Sequence, residues 1–310
     1  MIAVRPYAPA DAGAWDALVG RSRNGNLLHR RGYMDYHADR FVDCSQVVER
    51  DGEFVAVFPA NIRDKLVTSH GGLTYAGLIS SHALRAESTL AVFEQMADAY
   101  RALGVQRIVY KAVPHVFHAY PAEEDLYALQ RMGAQLVRRD LSSVIALQQP
   151  FRFTEARRRS VKKAARAGIS LQIGADPASF HELLVDVLRT HHVTPTHSLQ
   201  ELRLLQARFP QQIVLHEARK NGVLLAGVLA YDLGRVVHTQ YLAASEEGRH
   251  LDALSYLLAE LIGSTYADRH YFSFGISTEQ AGAVLNAGLV TQKEYFGARA
   301  IVHDFYEWRL

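Results

Sequence analysis

The sequence predicts a mixed α+β protein of two tandem domains, each a mostly antiparallel sheet flanked by helices. Three observations carry this. The order strand, helix, hairpin, strand, long helix, strand, short helix, strand runs through the chain twice. The two hairpin turns, Asp51-Gly52 and Asn221-Gly222, stand about 170 positions apart, and the two late β-branched or aromatic strands about 165. Both turns are dipeptides that enter the left-handed region readily, which a tight hairpin requires. The join is expected near Gln148-Gln149-Pro150, giving domains 1–149 and 150–310.

In the first half, Ile2–Val4 is a strand and Pro9 opens a helix to about Gly20. Gln46–Arg50 and Glu53–Pro59 flank the first turn, and Leu66–Ser69 is a third strand. Gly71-Gly72-Leu73-Thr74-Tyr75-Ala76-Gly77 reads as a glycine-rich loop. Leu84–Leu103 has helical periodicity and stops at Gly104, before the β-branched strand Val105–Lys111. Pro121–Met132 is a helix ending at Gly133, and Gln135–Leu147 is one or two strands. Glu123, Glu124 and Asp125 read as a dipole-favoured cluster at that helix start, not as a metal site.

The second half repeats the order. Arg157 to Arg166 is a basic helix, Ile169–Ile173 a strand, and Pro177 a helix start. Ile213–Arg219 and Val223–Asp232 flank the second turn, and Val236–Ala243 follows. Leu251–Tyr266 is a helix with Leu251, Leu254, Leu258 and Leu261 on one face. Tyr271–Phe274 is a strand broken at Gly275. A short helix is expected over Thr278–Ala287, capped by Ser277 or Thr278, with Glu279 in its first turn and its stop at Asn286-Ala287-Gly288. Gln292–Gly297 is then a polar and aromatic loop.

Composition sets bounds. Of 310 residues, 49% are hydrophobic and 21% charged, ordinary for a globular chain. A net charge of +2 argues against bulk binding to DNA or to a membrane surface. Cys44 is the only cysteine, so neither an internal disulfide nor a cysteine zinc site can form. No apolar run is long enough to span a membrane, and the start carries no secretory pattern. A bacterial cytoplasmic protein is the expectation. The oligomeric state is open, a homodimer included.

The repeated order is that of the GNAT acyltransferase fold. The tail FSFGISTEQAGAVLNAGLVTQKEYFGAR resembles that of two-domain GNAT proteins related to the FemAB/FemX peptidyltransferases. It is especially similar to the branch that N-acylates nucleotide-linked amino sugars for surface polysaccharides. RRGYMDYHADRF (30–41), GGLTYAGLI (71–79), PAEEDLYALQRMGA (121–134) and HHVTPTHS (191–198) resemble that branch too. The resemblance covers nearly the whole chain. It implies an acyl-CoA donor and a nucleotide-linked amino sugar as acceptor; no metal is expected, since HHVTPTHS lacks an HxxxH spacing with a carboxylate.

Acyl transfer to an amine needs a grip on the donor phosphates, a base for the ammonium proton, and donors for the oxyanion. Leu242, Ala243, Ala244, Ser245, Gly248, Arg249 and His250 link a strand to a helix, where free amides suit a pyrophosphate. They occupy the place of the family's pyrophosphate loop, although the segment has one glycine and carries Glu246 and Glu247. Arg158 and Lys162 in the basic helix are candidates for substrate phosphates; a solvated helix face is the alternative. His197, beside Pro195, is the first candidate base. His238 is the second, expected to share a face with Gln240 and Leu242. Glu279 and Lys293 are further candidates, Lys293 to steady developing negative charge. Tyr33, Tyr36, His37, Arg40 and Tyr75 are candidates for an acceptor pocket.

The leading expectation is a CoA-dependent N-acyltransferase working by direct attack in a ternary complex, since Cys44 has no visible activating partner. One rival is a FemAB-type transferase that takes an amino acid from aminoacyl-tRNA to a peptidoglycan precursor. The other is a non-catalytic nucleotide-binding protein on the same fold.

Overall fold

The computed structural model describes residues 2–190 and 192–310. It divides into two compact units. One comprises Met1–Asp140, Gln280–Ala283 and Val302–Leu310, and the other Leu141–Glu279 and Val284–Ile301.

The first unit contains β1 (Ile2–Pro6), α1 (Ala12–Arg21), α2 (Arg31–Met34), β2 (Val42–Asp43), β3 (Gln46–Arg50) and β4 (Glu53–Phe58). It continues with β5 (Asn61–Arg63), β6 (Leu66–Thr68), β7 (Ile79–Ser80), α3 (Ala86–Ala102), β8 (Arg107–Lys111) and α4 (Glu124–Arg131). Strand β9 (Gln135–Ala146) carries the chain from this unit into the next. β1, β3, β4 and β7 form one antiparallel sheet. The turn between β3 and β4 has Asp51 and Gly52 at φ 53° and 85°, as the dipeptide predicts. β6 pairs with β8 in parallel, with α3 as the crossover between them. The core gathers Phe58, Phe93, Tyr100, Tyr110 and Trp308. Asp125 is buried there, its carboxylate accepting from the Tyr110 hydroxyl at 2.5 Å. Burial pushes that carboxyl up to about 6.

The second unit contains α5 (Glu155–Ala165), β10 (Ser170–Ile173), α6 (Ala178–Arg189), α7 (Leu199–Arg208), β11 (Ile213–Lys220) and β12 (Val223–Asp232). There follow β13 (Val236–Ala244), α8 (Glu246–His250), α9 (Ala253–Glu260), β14 (Tyr271–Ile276), β15 (Thr278–Glu279), β16 (Val284–Leu285) and α10 (Ala287–Glu294). The last strand, β17 (Arg299–Arg309), crosses from this unit back into the first. Within the second unit the sheet order is β10-β11-β12-β13-β14-β9, antiparallel except for β13 beside β14. Asn221 and Gly222 form the second tight turn, at φ 50° and 81°. Phe272, Phe274, Leu257, Leu258 and Phe296 lie in a core on one face of this sheet. On the other face Phe180 of α6 lies against Gly227, where a Cβ would stand 2.3 Å from the ring.

Both units thus contain a parallel strand pair bridged by a crossover helix, and the mixed, mostly antiparallel architecture expected from the sequence is present.

Several local expectations fail. Thr278–Ala287 is not a helix; β15 and β16 pair there across the tight turn Gln280–Gly282. Asn286 starts a helix where a stop was expected, its side chain accepting from the Leu289 amide at 2.9 Å. Gln292–Glu294 accordingly belongs to α10 and not to a loop. The long helix expected over Leu251–Tyr266 is α9, which widens into a π-type turn at Leu261–Thr265. Helix α7 was not anticipated, although Ser198 and Glu201 cap it reciprocally.

Candidate active site

The second unit holds a cleft of about 1110 Å³, and its origin is local. β13 and β14 pair only at Val236↔Tyr271, Val237↔Phe272 and His238↔Ser273. Beyond that point β13 continues to Ala244 without β14 beside it. The strands part, and the β13 edge facing β14 keeps unpaired backbone groups. The cleft runs through this gap. Leu242, Ala244 and Phe274 line it together with α9 and α10 residues from one face of the sheet. Ala243 and the α6 residues Leu183 and Val187 line it from the other.

A bulge sets which side chains face which way. Ala230 pairs with Thr239 but Leu229 pairs with Tyr241, so Gln240 is an extra residue. The expected face of His238, Gln240 and Leu242 is therefore wrong, because one inserted residue reverses the alternation. His238, Tyr241 and Ala243 share the α6 face, while Thr239, Leu242 and Ala244 share the other.

At the head of the gap, β13 runs into α8. Ser245 is the N-cap, its hydroxyl accepting from the Gly248 amide at 3.0 Å. The Ser245 amide donates to Leu225 O at 2.9 Å, which draws the turn onto β12. Only glycine fits at 248, since a Cβ would lie 2.0 Å from Leu225 O. Of the expected phosphate-binding residues, Leu242, Ala243, Ala244, Ser245, Gly248 and Arg249 line the cleft. Arg249 turns back to donate to Ala244 O at 2.9 Å. His250 is exposed and lies outside the lining, 3.9 Å from Glu246.

At the foot of the gap stands His238. It is half-buried, with Nδ1 3.1 Å from Ser273 Oγ. Its ring approaches Gly275, whose φ of 74° and missing side chain allow the contact. His197 is buried, with Nδ1 2.7 Å from the Tyr241 hydroxyl. Its carbonyl is 3.2 Å from His181 Nε2. Burial raises the Tyr241 hydroxyl above its usual range. The structure thus places His238, Ser273, Tyr241 and His197 around one face of the parting strands. Tyr241 and Ser273 gave no sequence signal, because their place follows from the bulge and the strand pairing. His191 lies outside the described residues.

Lys293 also lines the cleft, yet its ammonium is already engaged. It is 5% exposed and donates to Gly275 O at 2.8 Å, Ile276 O at 2.8 Å and Ser277 Oγ at 2.7 Å. These contacts clasp the end of β14 to α10. Burial pushes the amine down to about 8. Lys293→Met would strand two carbonyls and a hydroxyl, so we expect a stability loss of about 2–4 kcal/mol in denaturant unfolding. An unchanged unfolding midpoint combined with lost activity would assign Lys293 to chemistry and not to the clasp.

Glu279 is exposed in β15, accepts from Asn286 Nδ2 at 2.7 Å, and is outside the cleft lining. Arg158 and Lys162 are exposed on α5, Arg158 being paired with Glu155 at 2.5 Å. The α5 residue in the cleft is Arg157.

In the first unit, Tyr33, Tyr36 and His37 form a run of ring contacts at 5.5 and 4.1 Å, with Arg40 over Tyr36 at 5.6 Å. The glycine-rich loop packs onto His37; a Cβ at Gly72 would come within 1.9 Å of its ring. Tyr75 is buried apart from these, its hydroxyl accepting from Asn26 at 3.1 Å and its ring against Phe117 at 4.5 Å. The parallel pair β6 and β8 does not open as its counterpart does. Ser69 continues it, donating to Val109 O at 2.9 Å and accepting from the Lys111 amide at 2.7 Å. The Ala76 amide then reaches Lys111 O at 3.0 Å.

Among the described residues, no group of three or more His, Cys, Asp or Glu could hold a metal ion. No described helix is long and apolar enough to cross a membrane.

Residues 152–281 match the family model of the acetyltransferase (GNAT) domain. No curated protein matches the sequence. The crystal structure of FemX is similar at a TM-score of 0.71 and 13% identity, covering 99% of this chain and 97% of that one. The structure of L-PGS from Bacillus licheniformis is similar at 0.62 and 11%, covering 98% and 93%. A tandem GNAT protein from the clavulanic acid biosynthesis pathway is similar at 0.55 and 12%, covering 100% and 98%. Residues 152–281 are therefore similar to a GNAT acetyltransferase domain, and the chain has the fold shared by FemX and tandem GNAT proteins.

Proposed function

We propose that this protein is an N-acyltransferase whose donor is an acyl-CoA held in the cleft of the second unit. The observation that carries the reading is the parting of β13 and β14 after His238↔Ser273, with the Ser245-capped turn at its head. A pantetheine arm is narrow and carries two amides, which suits a gap edged by unpaired strand backbone. At the Ser245 turn the amides of Ser245 and Gly248 are taken up by Leu225 O and Ser245 Oγ, which leaves those of Glu246 and Glu247 for its pyrophosphate. The thioester carbonyl would then lie toward the foot of the gap. There the amine attacks that carbonyl carbon, strand amides stabilise the oxyanion, and the thiolate leaves. His238 is the nearer candidate to take the ammonium proton, being half-buried at the last pair before the strands part, whereas the buried His197 is engaged with the Tyr241 hydroxyl. The acceptor class is an amino sugar linked to a nucleotide, supported by the sequence resemblance.

One observation favours a second reading. Arg158, Arg159, Lys162 and Lys163 form an exposed basic face on α5, the helix that contributes Arg157 to the cleft. Such a face suits the backbone of an RNA carrying an aminoacyl group.

The test is thiol release from acyl-CoA with a panel of dTDP- and UDP-linked amino sugars. Turnover is expected, reduced about 100-fold or more in His238→Ala with CoA affinity retained. No CoA binding, with tight salt-dependent binding of aminoacyl-tRNA, would replace this reading by the second. Nucleotide binding without turnover of either donor would make the chain a non-catalytic binder.

A further inference from the structure

The basic run on α5 contains one residue unlike the others. Arg158 and Arg159 both pair with Glu155, at 2.5 and 3.3 Å, on the solvent face. Arg157 turns the other way, into the cleft. Thr154 caps the helix by accepting from the Arg157 amide at 3.3 Å, which fixes the first turn. The guanidinium lies 4.5 Å from the Phe296 ring centre and 5.9 Å from that of Tyr295. Nη1 donates to Ser255 Oγ. Nε is buried and has no hydrogen-bond partner among the described residues. Nη2 makes no bond to a described residue either.

The other cleft arginines are satisfied locally: Arg249 by Ala244 O, and Arg189 by Asp186 at 3.2 Å. Arg157 has no carboxylate at ion-pair distance among the described residues; Asp252 acts on it only from farther away. Desolvation outweighs that attraction and pushes its pKa down. A guanidinium withdrawn from water without a counter-ion is costly unless a ligand supplies the charge. The Phe296 ring holds its plane, which leaves the Nη2 corner for an incoming group. Planar N–H donors of this kind match phosphate oxygens.

We propose that Arg157 is an anion-recognition residue of the cleft and holds a phosphate of the donor. This deepens the acyl-CoA reading and rests on it only for the identity of the donor.

The test is calorimetric binding of CoA and of pantetheine, which lacks the phosphates, to the wild-type chain, Arg157→Gln and Arg157→Lys, with melting curves for each. The expected result is CoA binding weakened about 10- to 100-fold in Arg157→Gln and less in Arg157→Lys, pantetheine binding unchanged, and melting unchanged. The salt dependence of CoA binding should fall in Arg157→Gln. Unchanged CoA affinity would overturn the proposal. So would a parallel loss of CoA and pantetheine, or a lowered melting temperature, since either would mean that Arg157 packs Phe296 and nothing more. If the wild type binds no CoA, the acyl-CoA reading fails, and inorganic pyrophosphate becomes the probe. Binding that depends on Arg157 would keep this proposal; no binding, or binding indifferent to Arg157, would end it.

Discussion

Gly248→Ala is expected to abolish donor binding and to lower the melting temperature by several degrees. The added Cβ would stand 2.0 Å from Leu225 O and 2.8 Å from Leu225 C. Both are backbone atoms of β12, a central strand of its sheet, so no rotamer change relieves the overlap. The Leu225 carbonyl also accepts from the Ser245 amide at 2.9 Å, so moving it strains the same turn. The only easy response is to lift α8 off β12, which moves the Ser245 cap and the head of the cleft together. A cost of about 2–4 kcal/mol follows from overpacking of this kind. At about 2–4 °C per kcal/mol for a body of this size, calorimetry would resolve it. Gly263→Ala is the control: nothing lies within 4 Å of its Cβ position, and its melting curve should match the wild type within about 0.5 kcal/mol. Equal melting curves and equal CoA affinity for Gly248→Ala would refute the account of the turn.

The second large effect is on acid stability. Burial pushes His216 and His303 down to about 4, and His29 and His70 down to about 3. An unfolded histidine titrates near 6.5, so below that pH the unfolded chain binds more protons than the folded one. Stability is therefore complete above about 6.5 and is lost as pH falls toward 4. His216 and His303 each contribute on the order of 3 kcal/mol across that window. Their surroundings explain why: His216 Nε2 sits 2.8 Å from the Tyr266 hydroxyl, and both His303 ring nitrogens are buried without a partner among the described residues. Urea midpoints measured at pH 7 and pH 4.5 should fall steeply, and less steeply in His303→Phe. A flat profile would show that these rings stay solvated. Lys293 acts at the other end. Its amine sits at about 8 when folded against about 10.4 unfolded, so its burial makes stability rise with pH across that interval.

Much of the fold could be read from local chemistry. Asp51-Gly52 and Asn221-Gly222 impose backbone angles that only a tight turn meets, and both turns appear where those pairs stand. The basic run became α5, with Thr154 as its cap. Where local signals were ambiguous, the reading failed. Asn286 can end a helix or begin one, and its neighbours do not decide between them. Ser198 and Glu201 stand at the spacing of a reciprocal N-terminal cap, a local signal for α7.

The candidate site divides the same way. The sequence alone located a strand-to-helix connection over residues 242–250, because small residues before a helix follow from chain order; the helix already starting after Ser245 came with the structure. It also picked out His197, His238 and Lys293 as unusual residues, without their partners. Only the tertiary structure decided what those residues touch. The extra Gln240 reverses the face of His238, and no propensity reports a bulge of one residue. The parting of β13 from β14 depends on pairing between segments about 35 residues apart. Lys293 became a clasp because two carbonyls of β14 end beside it. Arg157 differs from Arg158 through the rings it meets, not through its place in the run. Local sequence sets backbone angles and periodicity; which polar groups lose water together is set by contacts between distant segments, and that loss of water gives the site its chemistry.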